Sequence, residues 1–339
     1  MSETRRLQRI GGNTLYVSLP KYWTKRMKLQ QGDSVALTSR PDGSICVYPT
    51  IKPHKSKEIF LKINPKDPNQ FLRRGIIAAY VDGFDVIKLE AKDRFTEKQQ
   101  NVIRETIDHL FASELIEVTG NSITIQCLLR ETLPIEKNLR RIHNILLAMF
   151  RETIFALKKE DLSLVEGLTR RKHDIERLSL VTIRSLRSVV LFPEPIEQIE
   201  LSLIDCVDYL QILHIISEIT ENVYKILENV MALNKKALPK HILGPLCEAC
   251  IHVQALYDRS IQALLSKDVL EANDILDSES NIESLWHICK KANEKSQIGS
   301  LTLAHVYLLI DNVKQIQQYS SEIAEIAIDR TEAELKRVD

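Results

Sequence analysis

Basic side chains at the amino-terminal end of this 339-residue chain are suited to binding a polyanion. Residues 1–57 contain eleven lysines and arginines but only three acidic residues, a net charge of +8, and the remainder carries −8. Lysine and arginine neutralise phosphates and give a salt-sensitive affinity that does not depend on base sequence. Because the whole chain is neutral, this asymmetry indicates a local contact with a polyanion rather than a charge field around the protein.

The cysteines and histidines, which could bind a metal or take part in catalysis, are not spaced as such sites require. The six cysteines are scattered, and the one CxxC pair, Cys247 and Cys250, falls inside a helical pattern, where a structural role is expected. The nine histidines include no pair at i, i+4 spacing. Phosphate loops, a GxGxxG sequence and a nucleophile elbow are absent, so the sequence favours a protein that is not an enzyme.

The absence of a long apolar segment in the sequence bears on where in the cell the protein is expected. No apolar run approaches the roughly 20 residues that a membrane span needs. The polar, charged amino terminus does not resemble a signal peptide. We therefore expect a cytoplasmic protein with reduced thiols and no membrane insertion.

The elements that must position the basic residues lie within about the first 50 residues. Alternation from Leu15 to Leu19 predicts a strand, Pro20 begins a helix with the body "KYWTKRMKL", and two strands joined by Pro-Asp-Gly form a hairpin. The glycines at 11 and 12 form a turn between the first two strands. A segment this short buries little apolar surface by itself. The sequence therefore predicts an oligomer with an even number of copies.

The middle of the chain, residues 56–134, has the pattern of a small α+β unit. Strands are expected at "KEIFLKI" and "DVIKLEA", and a helix at "QFLRRGIIAAYVDG" that ends near Gly83. Thr96 begins a second helix, and a hairpin surrounds Gly120 and Asn121. The sequence assigns this unit no role beyond spacing or the sensing of a small ligand.

From about residue 135 the chain is helical and repeats itself. Two helices carry apolar residues at spacings of three and four, as bundle helices do, at positions 212, 216, 219, 223, 226, 230 and at 309, 313, 316, 323, 327. An offset of 107 residues relates Ile154, Ala156 and Leu157 to Ile261, Ala263 and Leu264. A duplicated three-helix unit explains this offset, and chance agreement between two helices rich in alanine and leucine is the alternative.

The amino-terminal stretch "RRLQRIGGNTLYVSLPKYWTKRMKLQQGDSV", with the later "DGSICVYP", resembles the SpoVT/AbrB-type DNA-binding domain. The resemblance implies interleaved homodimers, in which hairpins from two chains build one barrel and a basic face meets DNA. By position, it implies DNA contacts from Arg5, Arg6, Arg9, Lys21, Lys25 and Arg26. The turn at 11–13 departs from the many members that place an arginine there. A module for dimerisation without DNA is the alternative.

The remainder resembles the PhoU family of phosphate-uptake regulators, especially its archaeal-type members. The resemblance rests on "RRKHDIERLSLVTIRSLRSV", on "LIDNVKQIQQYSSEIAEIAIDR" and on the order of the domains. It implies a multidomain fold: a small swapped-hairpin β-barrel domain, a small α+β domain, and an all-α tandem of three-helix bundles. The predicted boundaries are 1–52, 56–134, 135–236 and 237–335.

The PhoU resemblance also implies a surface metal motif, which this chain has partly lost. In the first repeat the two acidic positions fall on Lys172 and Glu176, and in the second on Glu279 and Glu283. On the partner helices the corresponding positions are Glu221 and Gln318. Hard divalent cations need several oxygen ligands, and a lysine ammonium repels them. The sequence therefore predicts no cofactor other than a possible divalent metal, first at Glu279 and Glu283 and second at Glu176 and Glu221, with solvated helix faces as the alternative.

Together the two resemblances imply a cytoplasmic, homodimeric regulator of phosphate uptake and phosphate-responsive transcription. The basic domain would bind DNA, and the helical bundles would sense or relay transport status. The expected partners are DNA, a second copy of the chain, and a phosphate transporter ATPase or another signalling protein. The alternative is an adaptor that restrains such a partner and uses its amino-terminal domain only to dimerise.

Overall fold

The structure is a computed structural model in which contacts divide the chain into two compact units. One comprises Met1–Lys55, and the other comprises Ser56–Phe192 with Leu201–Asp339. Within the described ranges every helix is too short or too polar to cross a membrane. The described residues are 3–11, 14–39, 43–49, 56–64, 66–129, 134–159, 165–191, 201–233, 238–278, 287 and 299–335.

The amino-terminal unit contains two separate antiparallel hairpins and one short helix. The first hairpin pairs β1 with β2, the helix α1 follows, and the second hairpin pairs β3 with β4. This order confirms the strand, strand, helix and hairpin pattern predicted from the sequence. The bounds are β1 Gln8–Ile10, β2 Thr14–Tyr16, α1 Lys21–Arg26, β3 Val35–Ser39 and β4 Ile45–Pro49.

Two elements of this unit are shorter than the sequence predicts. Strand β2 ends at Tyr16 although the alternation continues to Leu19, because the described part of the chain offers residues 17–19 no strand to pair with. Helix α1 ends at Arg26 because Lys28 adopts a left-handed backbone with φ of 54°.

The α+β domain is a four-stranded mixed sheet covered on one face by two helices. Strand order is β5-β6-β8-β7, with β5 parallel to β6 and the other pairs antiparallel. Thr96 caps α3 through a reciprocal capping box with Gln99. All six elements confirm the sequence-based expectation. Their bounds are β5 Glu58–Ile63, α2 Asn69–Val81, β6 Val86–Ala91, α3 Glu97–Asp108, β7 Ser113–Val118 and β8 Ser122–Cys127.

Six long or medium helices form the remainder of the described second unit. The predicted apolar positions of α6 and α9 are all buried, and so are the residues that the offset of 107 matches between α4 and α7. One continuous apolar core runs through these helices. The bounds are α4 Ile135–Lys159, α5 Val165–Leu191, α6 Leu203–Ala232, α7 Lys240–Ser266, α8 Val269–Leu276 and α9 Ser300–Leu335.

The CxxC pair lies in this core. Cys247 and Cys250 are free and buried in α7, and burial raises the pKa of the Cys250 thiol to about 12. A thiol with a raised pKa is a poor nucleophile and a poor metal ligand at neutral pH. The arrangement agrees with the structural role predicted for the pair.

Arg184 joins the helical part of the second unit to the α+β domain. This α5 residue is 5% exposed, and its Nη1 donates to the carbonyl oxygens of Tyr80 at 2.5 Å and of Phe84 at 3.0 Å. Its Nη2 lies 3.4 Å from Asp85 Oδ1, and its guanidinium lies over the Tyr80 ring. Because α2 ends at Val81, the guanidinium satisfies carbonyls at the negative end of that helix dipole.

Replacing Arg184 with methionine leaves two carbonyls and the Asp85 carboxylate without this donor. Breaking a buried charged pair costs about 3 kcal/mol or more, so urea denaturation should show a free energy of unfolding lower by that amount. Arg187→Met is the matched control on the same helix, because the pair of Arg187 with Asp82 is 44% exposed on both sides. This control should change stability by less than about 1 kcal/mol. Equal effects of the two substitutions would contradict the role of Arg184.

Candidate nucleic-acid interface and bundle face

The six basic residues predicted to contact DNA are all exposed in the amino-terminal unit. Arg5 forms an ion pair with Glu3, with Nη2 and Oε1 2.9 Å apart. Within the described part of the chain, the other five form no ion pair. Their charges are therefore available to a polyanion. The six are Arg5, Arg6, Arg9, Lys21, Lys25 and Arg26.

The local fold places Arg5 and Arg6 just before β1, Arg9 on the first hairpin, and the other three cations on the short helix. Arg9 lies in β1 opposite Leu15 of β2, and the turn between the strands begins at Gly11, whose φ of 63° favours glycine. Lys25 and Arg26 occupy the last turn of α1, where positive side chains complement the helix dipole. The other two residues of the predicted turn, 12 and 13, lie outside the described residues.

Apolar side chains of the same unit are exposed as well. Among the described residues of this unit, no hydrophobic side chain reaches the buried class. Leu37 and Ile45 are 66% and 65% exposed and lie on one face of the β3–β4 hairpin, where Leu37 is opposite Val47. Leu7, Leu15 and Val17 are also exposed. The described residues of this unit therefore present apolar surface and form no buried core among themselves.

The face predicted to carry the metal motif in the first repeat contains an internal ion pair. Lys172 Nζ of α5 lies 2.6 Å from Glu221 Oε2 of α6 and 4.4 Å from the centre of the Tyr224 ring. The Glu221 side chain is 40% exposed and that of Lys172 is 23% exposed. The Lys172 ammonium thus supplies the positive charge that this carboxylate faces.

Glu176, the second acidic position, faces the α+β domain. Its Oε2 lies 3.8 Å from Nδ1 of His109, which follows α3. The rings of His109 and His173 are in contact, with centroids 3.9 Å apart. Burial lowers the pKa of His109, and the nearby charges of His173 and Arg73 lower it further. Sequence reasoning missed this pair because the two histidines lie on elements 64 residues apart.

Comparisons with known proteins agree with this arrangement of domains. Residues 8–56 match the family described as "Antidote-toxin recognition MazE, bacterial antitoxin". The phosphate transport system regulatory protein PhoU from Streptococcus pneumoniae is similar in structure at 13% identity and a TM-score of 0.50, over 57% of this chain and 91% of that chain. The chain carries a MazE/AbrB-like domain and a PhoU-like helical region. Both predicted resemblances are thereby confirmed at the level of fold.

PhoU from Pseudomonas aeruginosa matches at 11% identity and a TM-score of 0.49, over 57% of this chain and 93% of that chain. No curated protein sequence matches the chain significantly.

The donor set of the PhoU-like region in its first repeat does not suit a hard divalent cation. Glu221 faces an ammonium, and Glu176 faces an imidazole on another element. Within the described ranges no group of three or more histidine, cysteine, aspartate and glutamate side chains could hold a metal. Glu279 and Glu283 lie outside the described residues, so a metal there stays a prediction, and Gln318 is exposed on α9.

The substitution Lys172→Glu should convert this face into a cation site. It replaces the internal ammonium with a second carboxylate facing Glu221, and Glu176, one turn along α5, is the nearest third oxygen donor. Electron paramagnetic resonance of Mn²⁺ titrations should show one more bound ion per chain than the unsubstituted protein. Lys172→Gln is the control, because it removes the ammonium without adding a ligand. Equal Mn²⁺ stoichiometry for all three proteins would contradict this interpretation.

Proposed function

We propose that the chain is a cytoplasmic, homodimeric regulator that binds DNA through its MazE/AbrB-like domain and relays phosphate status through its PhoU-like region. No catalytic step is part of the proposal. The observation that carries it is a unit that exposes both its cations and its apolar side chains, joined in one chain to a helical region with a different fold.

The dimer is supported by the exposure of the apolar side chains that the structure describes in the amino-terminal unit. Leu37, Ile45 and their exposed neighbours would bury little surface in one copy of about 50 residues, and so small a segment needs additional apolar burial to be stable. A second copy offers the same apolar faces in a self-complementary arrangement. Hairpins from two chains would then form one barrel, and the two sets of cations would lie on one body.

The DNA contact is supported by charge. The segment 1–57 carries +8, and a dimer presents two such segments to the same polyanion. Five of the six cations, all except Arg5, have no acidic partner among the described residues, so binding phosphate breaks no internal ion pair there. We propose that Arg5, Arg6, Arg9, Lys21, Lys25 and Arg26 make these contacts, mainly with the DNA backbone.

The link to phosphate is supported by the fold of the helical region. The similar Streptococcus pneumoniae protein is described as a regulatory protein of the phosphate transport system. We propose that the PhoU-like region here likewise responds to phosphate transport, through a transporter ATPase or another signalling protein. A divalent metal at Glu279 and Glu283 is a further part of the proposal.

An adaptor that uses its amino-terminal unit only to dimerise is the second candidate. The same exposed apolar faces favour it, because dimerisation alone would explain them. A pull-down that recovers a transporter ATPase, with no protection of DNA in footprinting, would favour the adaptor. Promoter occupancy that changes on phosphate starvation would favour the regulator.

Electrophoretic mobility shift with the full chain across a salt series tests the DNA contact. Affinity should fall steeply as salt rises, because each neutralised phosphate releases counterions. The triple variant Arg5→Glu, Arg6→Glu, Arg9→Glu should lose binding by at least about tenfold, since each reversal also adds repulsion.

The matched control reverses three exposed cations of the second unit, Arg104, Lys225 and Lys314. This control keeps the same change in net charge and should bind as the unsubstituted protein does. Binding that is absent even at low salt, or equal losses in both triple variants, would refute the proposed interface.

A further inference from the structure

Four basic side chains come together where the loop after α3 lies against α5. We call this group the basic joint: Arg73 of α2, His109, and His173 and Arg177 of α5. The imidazole rings of His109 and His173 are 3.9 Å apart, and the Arg177 guanidinium lies 5.5 Å from the centre of the Phe111 ring, two residues beyond His109. Arg73 is close enough for its charge to lower the pKa of His109. Three separate elements thus supply positive or proton-donating groups to one place.

At least one hydrogen-bond donor of the basic joint has no acceptor among the described residues. Arg177 Nε is buried and has no hydrogen-bond acceptor within the described part of the chain. Over the same described ranges, neither Arg73 nor Arg177 forms an ion pair. A buried donor without an acceptor costs free energy, so an acceptor supplied by a ligand would lower that cost. A guanidinium fork matches the paired oxygens of a tetrahedral oxyanion.

The acidic side chains around the basic joint do not act as the acceptor for Arg177. Glu176 Oε2 is 3.8 Å from His109 Nδ1, which is too long for a hydrogen bond, and its side chain is 40% exposed. Asp108, the last residue of α3, is exposed as well. Both carboxylates can turn towards solvent when another anion enters, whereas the Arg177 Nε donor is fixed in a buried position.

We propose that the basic joint binds a tetrahedral phosphoryl oxyanion, either free orthophosphate or the phosphate group of a monoester. Arg177 and Arg73 neutralise the ligand, and His109 and His173, whose rings lie against each other, donate ring N–H groups to it. The ligand therefore bridges α5 and the loop after α3, and it stabilises the contact between the α+β domain and the helical region. This site is separate from the proposed DNA interface and does not depend on it.

Isothermal titration calorimetry on the full chain tests the proposal with two probes, inorganic phosphate and ribose 5-phosphate, at matched ionic strength in a zwitterionic buffer. Saturable binding of either probe is expected. Arg177→Gln should weaken it by about tenfold or more, the loss that accompanies removal of a charge-assisted hydrogen bond. Glu176→Gln should strengthen it severalfold, because a like charge is removed from the edge of the site.

Arg104→Gln is the control, since it removes an exposed charge from α3 and should leave binding unchanged. Preference for inorganic phosphate assigns free phosphate as the ligand, and preference for ribose 5-phosphate assigns a monoester. If Arg177→Gln does not fold, the increase in affinity expected for Glu176→Gln still tests the proposal. The proposal would be overturned if neither probe saturates the protein below about 10 mM. It would also be overturned if neither Arg177→Gln nor Glu176→Gln changes the affinity.

Discussion

The shortage of buried apolar surface in the amino-terminal unit is the constraint on which the proposed function depends. Two hairpins and one helix of six residues present leucine, isoleucine and valine to solvent, and no described hydrophobic side chain among them is buried. A segment of this size is not expected to be stable without further burial. In the proposed dimer a second copy would supply that burial and would at the same time double the basic charge. Stability and polyanion binding would then be two consequences of one association.

Within the second unit, helix α5 links the helical region to the α+β domain. Along its length it carries Lys172 towards α6, His173 and Glu176 towards the loop after α3, and Arg184 towards the end of α2. Each contact uses a charged or polar group that has a defined partner on another element. A ligand or partner that moves α5 would alter all three contacts together, which gives the helical region a physical route to the α+β domain.

The sequence predicts the elements and the core well because both follow from local periodicity. Ile219 and Ile316 could be placed in helix seams from spacing alone, and Thr96 could be identified as a cap from its side chain and the residues that follow. The contacts of Arg184 and the contact between the His109 and His173 rings could not be predicted. The Arg184 contacts join residues about 100 positions apart, and the two histidines are 64 positions apart. No local sequence pattern indicates which helix will face which loop. The strand predicted at 15–19 was too long, because strand length depends on a neighbouring backbone, and the described residues offer none to positions 17–19.

The central claim is that a second copy completes the amino-terminal unit, and mixed-label NMR tests it most directly. Full-length protein with methyl-labelled leucine and isoleucine is mixed with unlabelled protein and allowed to exchange partners. The account predicts intermolecular nuclear Overhauser effects from the methyl groups of Leu37 and Ile45 to protons of the unlabelled copy, and none from Leu270, which is 83% exposed on α8. Absence of intermolecular effects at Leu37 and Ile45 would contradict the account, whether the sample is monomeric or associates through another surface.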